Sequence, residues 1–453
     1  MTFAEYLTQL TEEYGISKNR LIRETGIDRS SFFQFLKGTR KPTGRQLLQI
    51  GLAAGFQKEE RRLLHELYVK EKYGEETFRL WEKIRETINR LDTMTLDAPK
   101  DDFIFQYLKQ VCDGSGSKKT VRFDLFLPVS IVRQSSIFDG LAALIRSFSG
   151  TISARMIVVD FSDRNLPDGE LIELLMQGIL LHKEPRVDIS LYHYHGNYQR
   201  SDLPLVGYPF FILSDSSFMM INDLSNDCKI LRDMDFLRKH AVSFEEFLRK
   251  CSPLSIRNGD LTKQAEYLEM FFPSSDDDLV YTVECLPCVY RYAPLEMVAK
   301  YAPPAVADIA VPYVSAMKTA FHLKQYFNPD GFNTFRRDCM LYDAGMNIQL
   351  SKEDAEILSA LMLEQTGKDV FFSDPSRFRM SEQWHIASGR KALLFTSCMK
   401  NVLVSVTSRD PQICGAFYRY FSHLDEDGSE FPPEAVQEYI RKEYQKNSAA
   451  EAL

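Results

Sequence analysis

The sequence predicts an α+β multidomain protein: an all-α N-terminal head followed by a large α/β region. Three observations predict it. Apolar residues in the first 73 positions recur at helical spacing and are punctuated by helix-stop glycines. Beyond the flexible turn DGSGSKK at 113–119 the texture changes, and β-branched and aromatic runs alternate with amphipathic stretches. That alternation then runs twice in the same order. At 453 residues the chain exceeds the usual size of one domain, so two or three are expected.

Composition narrows the class. Hydrophobic residues make up 44% and charged residues 26%, as in an ordinary globular protein. Glu5 and Thr8 interrupt the first residues, so no export signal is read, and no apolar run approaches membrane-spanning length. A cytoplasmic protein is expected. The eight cysteines are scattered, and only Cys285 and Cys288 form a CxxC. A zinc site would need a second pair at matching spacing, so reduced buried thiols are expected.

Residues 16–43, ISKNRLIRETGIDRSSFFQFLKGTRKPT, carry the strongest signal. Two short amphipathic helices are joined by a tight turn at Gly26-Ile27. The first is expected to carry Leu21 and Ile22 inward, and the second Phe32, Phe35 and Leu36. Gly26 suits the turn because it tolerates positive φ. Asp28 offers an oxygen to the orphan amides of the second helix, Gly38 stops that helix, and Pro42 prevents it resuming. Lys18, Arg20, Arg23, Arg29, Ser30, Gln34, Lys37, Arg40 and Lys41 are left facing outward. Cations suit phosphates, and short polar and amide groups suit base edges.

Residues 3–68 resemble the phage-repressor/Cro-type helix-turn-helix, the XRE family, a five-helix bundle whose second and third helices form the motif. The matching positions are Leu21, Gly26, Ile27, Phe32, Gly38, Pro42, Leu47 or Leu48, Ile50, Ala54 and Gly55. The resemblance implies that Arg29, Ser30 and Gln34 face the major groove of double-stranded DNA, and that Lys18, Lys37, Arg40 and Lys41 contact phosphates. Phe33 and Leu36 depart from the pattern. The first stands where a small or polar residue is usual, the second where an acid is common.

Charge supports the same reading. Residues 16–45 hold eight Lys or Arg against Glu24 and Asp28, a local net of +6; the whole chain is −8, which leaves −14 elsewhere. An acidic protein with one basic island binds nucleic acid through that island.

Along the chain, 43–56 and 58–71 read as the fourth and fifth helices of the head. A helix over 75–91 follows, with Trp81, Ile84, Ile88 and Leu91 forming a narrow apolar seam. That seam suits either a short coiled coil between two chains or packing on its own chain. The expected domains are a helix-turn-helix head at 1–73, a linker helix at 74–102, α/β halves at 103–260 and 261–430, and a tail at 431–453.

Within the first half, strands are expected at 121–128, 151–160, 186–194, 209–214 and 217–222. Helices fall at 137–148, 169–182 and 234–251, then a linker at 252–260 and a helix at 261–272. In the second half, strand 279–289 precedes a helical region at 294–327, strand 345–350, helix 352–366, strands 369–373, 391–397 and 400–406, and helix 410–424. Segments 120–252 and 279–424 thus read as two copies of one βαβαβββα module. By element order this module resembles the half-domain of the phospholipase D-like fold, used as a sensor by other transcription regulators. That family's His-x-Lys-x4-Asp signature is approached only by His322, Lys324 and Asp330, whose acid falls one position late, so the resemblance implies a copy without the chemistry.

Other chemistry is sparse. His193 and His195 in LYHYHGNY alternate on a strand, so both rings share a face, but no third metal ligand is identifiable from sequence. Asp160 ends a buried-looking strand, where α/β sheets place ligand groups, though it equally suits a turn cap. Asp276, Asp277 and Asp278 read as a solvated loop. No phosphate loop, nucleophile elbow or HExxH occurs. The expected function is therefore a sequence-specific DNA-binding transcription regulator, not an enzyme. It needs no cofactor or metal, it homodimerises through the C-terminal region or the Trp81 seam, and its C-terminal region senses a small-molecule or protein effector. The main alternative is an enzyme acting on a nucleotide or phosphodiester with an appended DNA-binding head. A phage-defence or toxin–antitoxin component would carry the same head.

Overall fold

The computed structural model describes the chain except residues 117–118, 160–167, 196–209, 223–226, 258–278, 286–290, 303–306, 321, 344–345, 376, 380–383, 400–401, 432–435, 437 and 441–453. It is a mixed α/β protein with a helical N-terminal region. Among the described residues, no helix is long and apolar enough to cross a membrane.

The N-terminal helices are α1 (Phe3–Glu13), α2 (Lys18–Thr25), α3 (Arg29–Leu36), α4 (Gly44–Ala53), α5 (Lys58–Tyr73) and α6 (Glu75–Arg90). Local sequence fixes their ends. Thr2 with Glu5, and Thr43 with Gln46, form reciprocal capping boxes at α1 and α4. Gly26 ends α2 at φ +67°, in the left-handed region. Phe3, Leu7, Leu21, Phe32, Phe35, Ile50, Leu64 and Tyr68 are all buried between the helices. Each such Leu or Phe contributes about 1.5–3 kcal/mol relative to exposure. Ile22 and Leu36, expected inside, are only half-buried, because they stand beside Leu21 and Phe35 at the margin of the apolar stripe that each helix turns to the core.

The apolar seam of α6 is covered by its own chain. Trp81, Ile84, Ile88 and Leu91 are buried, and the Trp81 ring lies 5.0 Å from Tyr73, 5.4 Å from His423 and 6.2 Å from Tyr420. Of the two uses expected for the seam, the intrachain one is what the structure contains.

There follow α7 (Phe103–Gly114), β1 (Thr120–Pro128), α8 (Val129–Gln134), α9 (Ile137–Ser147), β2 (Thr151–Val159), α10 (Asp168–His182), β3 (Val187–Tyr194), β4 (Phe210–Ser214), β5 (Phe218–Asn222), β6 (Asp227–Leu231), α11 (Met234–Leu248) and β7 (Ser252–Arg257). The helical crossovers make β1, β2 and β3 parallel. β4 and β5 form the expected hairpin, antiparallel with Phe210 opposite Ile221. Residues 252–257, expected as linker, are a strand instead. Serine and Pro253 disguise it, but it pairs with the edge of β3 and buries Leu254 and Ser255.

The remaining elements are β8 (Leu279–Glu284), α12 (Leu295–Tyr301), α13 (Ala307–Ala320), β9 (His322–Phe327), α14 (Pro329–Asp338), β10 (Met340–Asp343), β11 (Met346–Gln349), α15 (Lys352–Glu364), β12 (Val370–Ser373), β13 (Trp384–Ser388), β14 (Leu393–Met399), β15 (Val402–Ser408), α16 (Pro411–Phe421) and β16 (Glu430–Phe431). The helical region expected over 294–327 ends before His322. HLKQYF is a strand, paired in parallel with both β8 and β12.

The chain divides into two compact units, interleaved in sequence: Met1–Asp92, Phe272–Ser388 and Phe417–Leu453 in one, Thr93–Phe271 and Gly389–Ala416 in the other. The first carries the helical head and strands in the order β16-β12-β9-β8-β13, over a core including Phe327, Phe332, Phe335, Leu358 and Phe372. The second has the order β14-β15-β7-β3-β2-β1-β4-β5-β6. The series β16-β12-β9-β8-β13 and β7-β3-β2-β1-β4 have the same strand senses: antiparallel, parallel, parallel, antiparallel.

Candidate nucleic-acid interface

The head presents the charged side chains singled out by sequence on and around α3. Asp28 caps this helix, accepting from the Ser31 amide at 2.8 Å, and its hydrogen bonds to Ser31 hold the carboxyl below its ordinary range. Phe32 and Phe35 anchor the helix underneath. Arg29, Ser30 and Gln34 are consequently exposed on its other side. Phe33 stands half-exposed among them, and the Arg29 guanidinium lies over its ring at 5.7 Å. A cation–π contact of this kind restricts the arginine without neutralising it.

The four lysines and arginines expected on phosphates differ in their surroundings. Lys37 is exposed at the C-cap of α3, and Lys18 is half-buried as the first residue of α2. Arg40 is exposed but donates from Nη1 to the Ser31 hydroxyl at 2.8 Å, which ties the loop after α3 back to that helix. Lys41 lies 3.7 Å from Glu71. The Lys41–Glu71 pair is solvated enough to exchange partners cheaply.

The opposite charge arrives from the far end of the chain. A loop after α16 carries Asp425, Glu426 and Asp427. The Glu426 carboxylate accepts from the Gly44 amide at the start of α4 at 3.1 Å, from Lys72 Nζ at 3.0 Å and from the Tyr68 hydroxyl. A helix N-terminus favours an anion, which is why an acid sits there. A Cβ at Gly44 would stand 2.3 Å from the Asp425 carbonyl oxygen, so only glycine permits this approach. Asp427 is buried and paired with Arg85 at 2.8 Å and Arg377 at 3.3 Å. Burial opposes its ionisation, yet the two guanidiniums outweigh that and hold its carboxyl below the ordinary range. Sequence reasoning missed these groups: 382 residues separate Gly44 from Glu426, and no local pattern marks the pair.

Other candidates disperse. Asp160, Asp276, Asp277, Asp278 and Cys288 lie outside the described residues. Cys285 is buried. His322 opens β9, with Lys324 two residues on and the Lys324 ammonium over the Phe371 ring at 5.3 Å; Asp330 sits in the first turn of α14, accepting from the Tyr439 hydroxyl. His193 and His195 belong to the second unit and do converge, on Asp410.

No protein-family model matches the chain, and no curated protein matches it.

Proposed function

We propose that the protein is a sequence-specific DNA-binding transcription regulator, with α3 as the element that enters the major groove. The observation that carries this reading is the exposure of Arg29, Ser30 and Gln34 together on one side of a helix rigidly seated by Phe32 and Phe35. Gln34 suits the paired donor and acceptor of adenine, and Arg29 suits guanine or a phosphate. Lys18, Lys37, Arg40 and Lys41 supply the phosphate contacts that fix register. One head buries too little surface for useful specificity, so two heads on a paired half-site, and hence a homodimer, belong to the proposal. With the seam of α6 covered, pairing is assigned to another surface.

The α/β region is proposed as the sensing part, built from two related halves. The matched order and sense of β16-β12-β9-β8-β13 and β7-β3-β2-β1-β4 support duplication. Genomic footprinting of the full-length protein, with and without cell metabolites, tests the proposal. It predicts a short motif repeated with dyad symmetry; uniform coverage that follows only protein concentration would contradict it.

A second reading is an enzyme acting on a nucleotide or phosphodiester with an appended DNA-binding head. The single observation favouring it is the meeting of His193, His195 and Asp410. Hydrolysis of a simple phosphodiester by the full chain, abolished by Asp410→Asn, would promote it over the first.

A further inference from the structure

The second unit contains a constellation that the DNA-binding reading does not use. His193 Nδ1 and His195 Nε2 both lie against one oxygen of Asp410, Oδ2, at 2.8 and 2.7 Å. The two imidazoles stand edge to face with centroids 4.1 Å apart. One ligand atom from each of the three residues falls within 4.8 Å of the others. We propose that His193, His195 and Asp410 form a binding site for a divalent transition-metal ion of the zinc or ferrous class.

The scaffold is rigid where a metal site needs it. His193 lies near the C-terminal end of β3 and His195 directly follows the strand, two residues on, so the strand's alternation carried one residue further sends both rings to one face. β3 is held on both sides, by β2 with Val158 opposite His193 and by β7 with Ser252 opposite it. The third ligand comes from the turn between β15 and α16. The other oxygen of Asp410, Oδ1, accepts from the amides of Gln412 and Ile413, both at 3.0 Å, which fixes the carboxylate and leaves Oδ2 for the histidines. Such outer hydrogen bonds orient first ligands in metal sites.

Burial and distance agree. The Asp410 side chain is fully buried and that of His193 nearly so, whereas the His195 side chain is 28% exposed and gives the site one open side. Zinc binds imidazole nitrogen and carboxylate oxygen at about 2.0–2.2 Å, which puts neighbouring tetrahedral donors roughly 3.3 Å apart. The present separations therefore have to open by only about half an ångström. On binding, the metal takes the place of the hydrogens between ring nitrogens and Oδ2, and each imidazole carries its proton on the other nitrogen. Two imidazoles and one carboxylate leave a coordination position free for water or a substrate oxygen. That donor set is shared by open zinc sites and by facial-triad iron sites. A soft, thiolate-preferring ion is disfavoured, because Cys414, the nearest cysteine in sequence, gives its thiol to the Ser408 carbonyl instead.

The test uses full-length protein stripped with a chelator and dialysed against Zn²⁺ alone or, without oxygen, against Fe²⁺ alone. Metal analysis should find one ion per chain, and whichever ion binds more tightly identifies the class. Co²⁺ substituted for a bound Zn²⁺ should give the visible band of a four-coordinate nitrogen/oxygen site. Two variants accompany it. Asp410→Asn keeps the helix-capping oxygen and loses the charge; His195→Gln alters the partly exposed ring. Each should weaken binding at least about tenfold, with melting in chelator unchanged for His195→Gln. If Asp410→Asn does not fold, His195→Gln decides alone. The proposal is overturned if neither ion binds the wild-type chain at one equivalent, or if bound metal is retained with unchanged affinity in His195→Gln.

Discussion

The head of this protein carries two charged faces that differ in what completes them. On the outer face of α3 and the following loop, Arg29, Lys37 and Arg40 are exposed; Arg29 lies over the Phe33 ring and Arg40 donates to the Ser31 hydroxyl. On the face formed by α4, α5 and α6, cations of the same kind are met by acids: Lys72 by Glu426 and Arg85 by Asp427. Buried charge is paired within the chain, as Arg85 is by Asp427, because an unpaired buried charge costs several kcal/mol. Charge kept exposed and unneutralised is available to an external polyanion.

The comparison is broken most severely by removing the acid on the paired face. Asp427→Ala removes the acid that Arg85 and Arg377 share, leaving Arg85 only Glu82 at 3.7 Å, and should cost about 3–5 kcal/mol of stability in a urea melt. A midpoint equal to that of the wild type would mean the buried pairing holds nothing together. Next in size is Gly44→Val, whose side chain collides with the loop at Asp425 and should cost about 1–3 kcal/mol. If instead the loop swings aside freely, stability will be unchanged and the contact between α4 and Glu426 is incidental.

Acid should attack the paired face through His65. It is buried beside Gly428, and burial foremost, with the nearby Arg377 charge, pulls its pKa from the ordinary 6.5 down to about 3. The unfolded chain therefore binds a proton that the folded chain refuses. Stability is fully present above about pH 6.5 and is lost as pH falls towards 3, by about 1.4 kcal/mol per unit. His182 behaves alike in the other unit, lowered to about 3 chiefly by burial. His65→Leu should flatten the acid limb of the melting profile; a limb as steep as before would exclude His65 as its source. The smallest effect belongs to the open face. Lys37→Ala should leave melting unchanged and reduce the slope of log affinity against log salt by about one counterion.

What the sequence made legible were features whose causes are local. Gly26 and Asp28 bracket the turn between α2 and α3 by their own backbone and side-chain chemistry, and the hairpin of β4 and β5 follows from apolar runs around Ser214–Ser216. Elements defined by a distant partner were not legible. β7 hides behind Ser252 and Pro253 because its reason for being a strand is β3, about sixty residues earlier. α14 begins at Asn328-Pro329, a dipeptide that reads equally as a turn until the Asn328 side chain is seen accepting from the Asp330 amide. The same division applies to sites. His193 and His195 were visible as an alternating pair, whereas Asp410 lies 217 residues from His193 and looks like any helix cap. Glu426 is likewise an ordinary surface acid until the start of α4 is found beneath it.

The most direct test of the account is binding of full-length protein to a duplex selected from a random pool, compared with a scrambled duplex at fixed salt. The wild-type chain should prefer the selected duplex strongly. Arg29→Ala combined with Gln34→Ala should melt like the wild type but bind both duplexes alike, losing about 1–3 kcal/mol of discrimination for each base contact removed. Retention of the full preference by that double variant would show that α3 does not read the sequence and would contradict the account.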